Sequence, residues 1–316
     1  MSQTAAHAPL ARSYWVGATL ALFAGTMWSF GGITVRFAPN ADPWQYLVWR
    51  SIGLFVAVEG WNVLQGRGLL IRHFLTGGRL GFAAAGCLSL AAIAFIFALK
   101  ETSIANALFL ASISPLLSMV LARFILGERM TPASVIAIGL GVAGLAVMVS
   151  GVGDVDRNRA SWLGNLGALV SSLCFALYSI CVRLAPGKDF SPTLPGLALV
   201  SFVVCVAVTL AQGKTLVPPR QDILMAMLHG AVFIGIGVAC FNAAAAQIPA
   251  TGLTVLAQTE TLLSPVWAFL ILGEVPSGAT LAGGALILTG VLVSAFAGAR
   301  QARPARETVT TPPSPV

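Results

Sequence analysis

This sequence predicts an all-α integral membrane protein: ten transmembrane helices arranged as two inverted five-helix repeats. Three observations carry that prediction. Of the 316 residues, 57% are hydrophobic and only 9% are charged, against about 25% charged in an average soluble domain, so the chain cannot cover a water-facing surface. Its apolar runs are close to ~20 residues long, the length a helix rising ~1.5 Å per residue needs to cross ~30 Å of hydrocarbon; barrel strands are about half that length and alternate in polarity. The third observation is duplication. Val35-Arg36-Phe37-Ala38-Pro39, with Asp42, returns 147 residues on as Val182-Arg183-Leu184-Ala185-Pro186, with Asp189. A register offset by 146 places Gly127-Glu128 on Gly273-Glu274, Gly144 on Gly290 and Phe95 on Phe241.

The spans run from one polar break to the next. The first, 15–37, ends in the Arg36 stretch, and the second, 44–64, carries Arg50 and Glu59. The third is 80–99. The fourth, 104–126, sets Ala107, Ala111, Ser114 and Ser118 on one helical face and stops before Gly127-Glu128; the fifth, 133–150, includes Gly144. In the second copy, 162–183 ends in the Arg183 stretch, and 194–212 and 223–246 hold Cys205 and His229. The ninth, 250–272, puts Leu253, Ala257, Glu260 and Ser264 on the face equivalent to that of the fourth, and the tenth is 278–298. The repeats are therefore 15–150 and 162–298, flanked by tails 1–14 and 299–316. The first apolar run is too long for the core of a cleaved signal peptide.

With both tails cytoplasmic, 11 of the 18 basic residues, Arg67, Arg72 and Arg183 among them, fall inside and six outside. That is the bias expected of cytoplasmic loops in a plasma membrane, here the inner membrane of a bacterium. The net charge of +7 then reflects topology and gives no reason to invoke nucleic acid. The five cysteines all fall in apolar spans without paired spacing and read as small core residues, with no metal site.

Five crossings per copy make the second copy enter the bilayer from the opposite side. The repeats are then related by a two-fold axis in the membrane plane, an arrangement suited to alternating access around a central site. The sharpest difference between the copies is Glu260, which stands where the first copy has Ser114. It lies ten residues into its span, ~15 Å deep at the helical rise, where a carboxylate is costly unless paired, protonated or facing a wet cavity. Small residues on the same face also suit plain helix packing, and a structural hydrogen bond is the competing role for Glu260. Pro115 and Pro265 each remove an amide from the helix ladder, which predicts bends that present backbone carbonyls near mid-membrane. Arg50, six residues into its span, is placed to snorkel to the surface, pair with Glu260 or bind an anionic substrate group. Glu59 is expected to be solvated at the interface. Trp28, Asn106, Tyr178, Asn242 and Gln258 are the other polar or aromatic residues at cavity depth, each competing with a packing role.

Taken together, Pro115 leading to Gly127-Glu128, Arg50, and the run from Glu260 through Ser264-Pro265-Val266-Trp267 to Gly273-Glu274 resemble the signature of the EamA family. That family lies within the drug/metabolite transporter superfamily, and the resemblance covers residues 15 to 298 in both repeats. It implies a ten-helix secondary transporter of small metabolites or drugs, often an exporter of amino acids or related compounds. It also implies a central cavity lined by helices one to four and six to nine, with five and ten peripheral. Where many members have Glu-Pro, this chain has Glu260-Thr261 and its proline at Pro265, which displaces the bend by about one turn.

An enzyme is disfavoured by the scarcity of reactive groups: 11 acidic residues, three histidines and no phosphate-cradling Gly-Lys-Ser/Thr loop. A channel or facilitator is the alternative, although no selectivity-filter sequence is evident. The partners expected are a small-molecule substrate, membrane lipid and a coupling proton or other ion. No cofactor is called for, and the sequence is compatible with a homodimer.

Overall fold

Ten helices long and apolar enough to cross a membrane follow one another in the computed structural model, which describes residues 8–150, 162–245, 247–248 and 250–301. They are Tyr14–Arg36, Pro43–Leu64, Gly78–Glu101, Ile104–Ile125 and Pro132–Ser150, then Trp162–Arg183, Thr193–Ala211, Arg220–Ala245, Val255–Leu272 and Gly278–Ala297. The tails and the segment joining the repeats lie largely outside the described residues.

The duplication is visible in how the helices end. Gly127 and Gly273 both take a left-handed backbone (φ +70° and +68°), which glycine adopts without a Cβ penalty. That turn brings the amide of Glu128 to the carbonyl of Ala122 and the amide of Glu274 to the carbonyl of Ala268. The helices that follow are capped alike: Thr131 Oγ1 accepts from the Ser134 amide and Ser277 Oγ from the Thr280 amide, both at 3.1 Å. Gly66 and Gly213 form a second matched pair of stops.

Packing obeys the same two-fold relation. The second span packs on the seventh and the fifth on the tenth, each pair exchanging with itself. The first packs on the eighth as the sixth does on the third, and the first on the ninth as the sixth does on the fourth. The fifth and tenth cross where their backbones touch, since a Cβ built on Gly144 would lie 2.5 Å from the carbonyl oxygen of Gly283 and the reverse holds equally. The core sits around the second to fourth spans, where Tyr46, Leu47, Ile96, Leu99, Ile104 and Leu110 are fully buried. Large apolar side chains such as Leu64 and Phe124 stay on the exterior, as contact with lipid tails allows.

Four spans are interrupted, and the interruptions do not all fall where the prolines do. The fourth divides into Ile104–Ala111 and Ser114–Ile125, with Pro115 in the first turn of the second piece, where a missing amide costs least. The ninth divides into Ala250–Ala257 and Thr259–Leu272 at Gln258, while Pro265 sits inside the second piece. The first breaks at Phe30, and the eighth carries a π-helical turn, His229–Ile234. Glu59 corrects an expectation. Only 5% exposed, it is not solvated: its two oxygens accept the amides of Leu70 (3.0 Å) and Ile71 (2.8 Å), the orphan donors that open the short helix Leu70–Thr76.

Candidate functional site

The site is built at the break in the ninth span. Glu260 stands in the first turn of Thr259–Leu272, where the positive end of a helix dipole favours a carboxylate. Gln258 makes the break, its Oε1 accepting from Thr261 Oγ1 at 3.1 Å. Glu260 is half-buried, and among the described residues no hydrogen bond or ion pair reaches its carboxylate. The first span approaches closely here because it offers a glycine: a Cβ on Gly25 would lie 3.1 Å from the carbonyl oxygen of Ala257 and 3.2 Å from the Glu260 amide.

The repeat-related break is sealed differently. In the fourth span, Ser172 from the sixth reaches across, its Oγ 2.8 Å from the carbonyl oxygen of Leu110 and 3.2 Å from that of Ala111. Ser172 is the counterpart of Gly25 under the 147-residue offset. Thus one break has a hydroxyl closing it beside Ser114, and the other has a bare glycine beside an unpaired Glu260. Two substitutions between copies, and not one, mark the ninth span as the chemically open half.

Toward the face that carries Arg36, this region is closed by aromatic and polar contacts. Phe30, at the break in the first span, stacks between Phe233 and Trp267, with ring centroids 5.3 Å apart in both pairs. Trp267 Nε1 donates to Ser29 Oγ (2.9 Å), and Ser264 Oγ donates to the Ser29 carbonyl (2.9 Å). Above them runs a buried relay. Thr34 Oγ1 donates to the Gly31 carbonyl (2.7 Å) and Tyr46 donates to Thr34 (3.0 Å). With its own proton committed, the Tyr46 oxygen accepts from Nδ1 of His229 at 2.9 Å. This order assigns the Nδ1–H tautomer to His229.

Arg50 lies one turn from Tyr46 in the second span, where Gly230 of the π-helical turn leaves room for its backbone: a Cβ there would fall 2.0 Å from the Arg50 carbonyl oxygen. The residue is only 6% exposed, its Nε has no hydrogen-bond partner, and no ion pair among the described residues includes it. It neither pairs with Glu260 nor reaches the surface as a snorkelling side chain would.

The remaining expected residues separate. Asn106 is buried, its Nδ2 donating to Thr102 Oγ1 (3.2 Å) and to Asn165 Oδ1. Trp28 packs on Phe241 with centroids 5.3 Å apart and covers Gly237. Tyr178 lies half-buried against Phe175, and Asn242 is exposed. The structure therefore brings Gln258 and Glu260 together, sets Ser114 at the matching break, and places Arg50 apart among Tyr46 and the π-helical turn. Sequence reasoning missed Gly25, Ser172, Tyr46 and the Ser29–Trp267 contact. Comparing residues 147 apart would have exposed the first two; the others carry no repeat signal.

Comparison with known proteins fits this architecture. Residues 15–150 and 162–296 each match the model of the EamA-like transporter family. The chain is 27% identical over 204 residues to a probable terminal-alkyne amino-acid exporter of Streptantibioticus cattleyicolor, covering 60% of this chain and 63% of that protein. It is likewise 27% identical over 199 residues to inner membrane protein YtfF of Escherichia coli, covering 58% and 61%. The matched region thus spans about six-tenths of these relatives. A solved crystal structure superposes with a TM-score of 0.60 at 20% identity over 89% of this chain and 98% of the other, a likeness of fold alone.

Proposed function

Because the chain belongs to the EamA-like transporter family, we propose that it exports a small metabolite from the cytoplasm across a bacterial inner membrane, by secondary active transport with alternating access. The substrate class favoured is an amino acid or a related compound, in keeping with the amino-acid exporter to which the chain is similar. The inner-membrane placement accords with the name of the second relative and with the inside excess of basic residues; both tails are then cytoplasmic and Arg36 faces outward. One observation carries the reading: a half-buried carboxylate, Glu260, with no partner among the described residues, at the broken midpoint of a membrane helix. A charge is retained at such depth where it binds substrate or ion. Glu260 binds a cationic group of the substrate or carries the coupling proton, and Arg50 takes an anionic group. Ser114, Gln258, Trp28 and Tyr178 are secondary contacts.

The test begins with extracellular metabolites of cells that overexpress or lack the protein, which supplies the substrate. Flux of that compound is then followed in proteoliposomes, with and without a pH gradient. Glu260→Gln is expected to lower flux by about tenfold or more, equivalent to ~1.4 kcal/mol in the barrier, and to abolish acceleration by the gradient. Unchanged flux with unchanged pH response would remove Glu260 from the mechanism.

A further inference from the structure

The repeated Arg and Glu residues pair across the repeats. Arg36 of the first copy donates from Nε to Glu274 Oε1 of the second at 2.7 Å, and Arg183 of the second donates to Glu128 of the first. The 147- and 146-residue offsets interchange these two pairs, and inversion sets them on opposite faces of the membrane. A second set has the same relation. Lys214 Nζ lies 2.8 Å from Asp42 Oδ2, and the 147-residue offset maps that pair onto Arg67 and Asp189 on the Arg183 face.

The two faces hold unequally. The Arg36–Glu274 pair is buried, with side chains 20% and 6% exposed. It is also braced: Arg36 Nη2 donates to the Thr102 carbonyl (2.7 Å) and Glu274 Oε2 accepts the Ile104 amide (3.1 Å). Arg183 and Glu128 are 41% and 46% exposed. Asp189 and Arg67 are both exposed and form no ion pair with each other, the Asp189 Oδ1 accepting instead from the Ser191 amide. One face thus has two formed latches, one of them buried, while its counterpart has one solvent-exposed latch and one open.

We propose that these repeat-related pairs are latches that exchange with the conformation of the halves: Asp42–Lys214 on the Arg36 face and Asp189–Arg67 on the other close in alternation, while Arg36–Glu274 and Arg183–Glu128, both formed here, exchange the buried, braced geometry for the exposed one. The inference rests on the alternating-access reading above. It follows from symmetry, because an inverted repeat reaches its opposite state by each copy adopting the geometry of the other. In that state the Asp189–Arg67 pair closes as Asp42–Lys214 opens. A charge pair made on one face in one state gives each conformation its own differential contacts, which is what a two-state equilibrium requires.

Arg67→Cys with Asp189→Cys reads the open latch directly, through oxidative cross-linking in membrane vesicles and mass spectrometry of the 67–189 disulfide peptide. Cross-linking is expected to be slow with the native Arg36 face, and to accelerate on the order of tenfold when Arg36→Gln and Asp42→Asn loosen that face. Arg36→Lys keeps a cation opposite Glu274 and is expected to retain the slow rate that Arg36→Gln loses. Where Arg36→Gln is not monodisperse on size-exclusion chromatography, Lys214→Gln gives the same comparison at an exposed site. A 67–189 rate indifferent to the opposite face overturns the proposal. Because cross-linking needs no substrate, a responsive latch in a protein that moves no metabolite would overturn the export reading alone.

Discussion

The Tyr46 hydroxyl lies 2.9 Å from Nδ1 of His229 and 3.0 Å from Oγ1 of Thr34, joining the second span, the π-helical turn of the eighth and the first span through one oxygen. All three residues are buried. Tyr46→Phe would leave the buried Nδ1–H of His229 without its partner, while Thr34 keeps its bond to the Gly31 carbonyl, and is expected to cost about 1–3 kcal/mol. The unfolding midpoint of the detergent-solubilised protein should fall accordingly. Thr34→Ser keeps the hydroxyl and should stay near the wild type; equal losses in both variants would show that packing around Thr34, and not the relay, sets the stability.

Arg50 makes an opposite case. A buried guanidinium whose Nε has no hydrogen-bond partner among the described residues is a cost to the fold, because its desolvation is not repaid, and an apolar side chain of similar length removes that cost. Arg50→Met is therefore expected to raise or preserve the unfolding midpoint while lowering substrate flux at least tenfold. Loss of stability and flux together would mean that Arg50 serves the fold and not the substrate.

Much of this architecture was legible because the bilayer enforces it. Apolar length fixed the ten spans to within a few residues, and parity fixed the inversion. Arg36, Glu128, Arg183 and Glu274 stood out as repeats; their pairing across the copies is seen only in the structure. Their unequal burial was not legible, since it belongs to the conformation and not to the sequence. The break in the ninth span was expected near Pro265 but lies at Gln258, because a proline's missing amide need not interrupt a helix held by its neighbours, and Ser264 beside it is tied to Ser29. The burial of Glu59 was not legible because its partners, the Leu70 and Ile71 amides, come from another element and leave no periodic mark; the bond of Asn106 to Asn165 is hidden in the same way.

The helix crossings make a sharp contrast among glycines that look alike in the sequence. Gly144 meets Gly283 backbone to backbone, and a Cβ at either would sit 2.5 Å from the other's carbonyl oxygen. Gly139, on the same helix, has nothing within 4 Å of its Cβ position. Gly144→Ala should force the fifth and tenth spans apart and reduce the monodisperse fraction on fluorescence-detected size exclusion. Gly139→Ala should be neutral or slightly stabilising through helix propensity. Equal tolerance at both sites would contradict the crossing geometry.

Asp42 gives the pH test. Its Oδ1 accepts the Gln45 amide (2.9 Å), Gln45 Oε1 accepts the Asp42 amide (3.1 Å), and Oδ2 faces Lys214 at 2.8 Å. Burial pushes this carboxyl up, but the hydrogen bond and charge of Lys214 and the Gln45 and Trp44 amides outweigh it and hold the group below its ordinary value of 3.8. A depressed carboxylate stabilises the fold fully above that ordinary value, and the contribution disappears as pH falls through the lower folded value. Asp42→Asn keeps an oxygen to cap the helix and loses only the attraction to Lys214, a partly exposed pair worth about 0–1 kcal/mol. Asp42→Ala loses the cap as well, for a further ~0.5–2 kcal/mol. The deficit of Asp42→Asn in thermal unfolding should hold steady from neutral pH to about pH 5 and close below the ordinary carboxylate range, where the wild type loses the same charge. That of Asp42→Ala should narrow by the same amount and then level off, because a protonated carboxyl still accepts the Gln45 amide. A deficit that widens on acidification would show that Asp42 is destabilised as a carboxylate, and would remove the Lys214 pair from the forces that hold the Arg36 face.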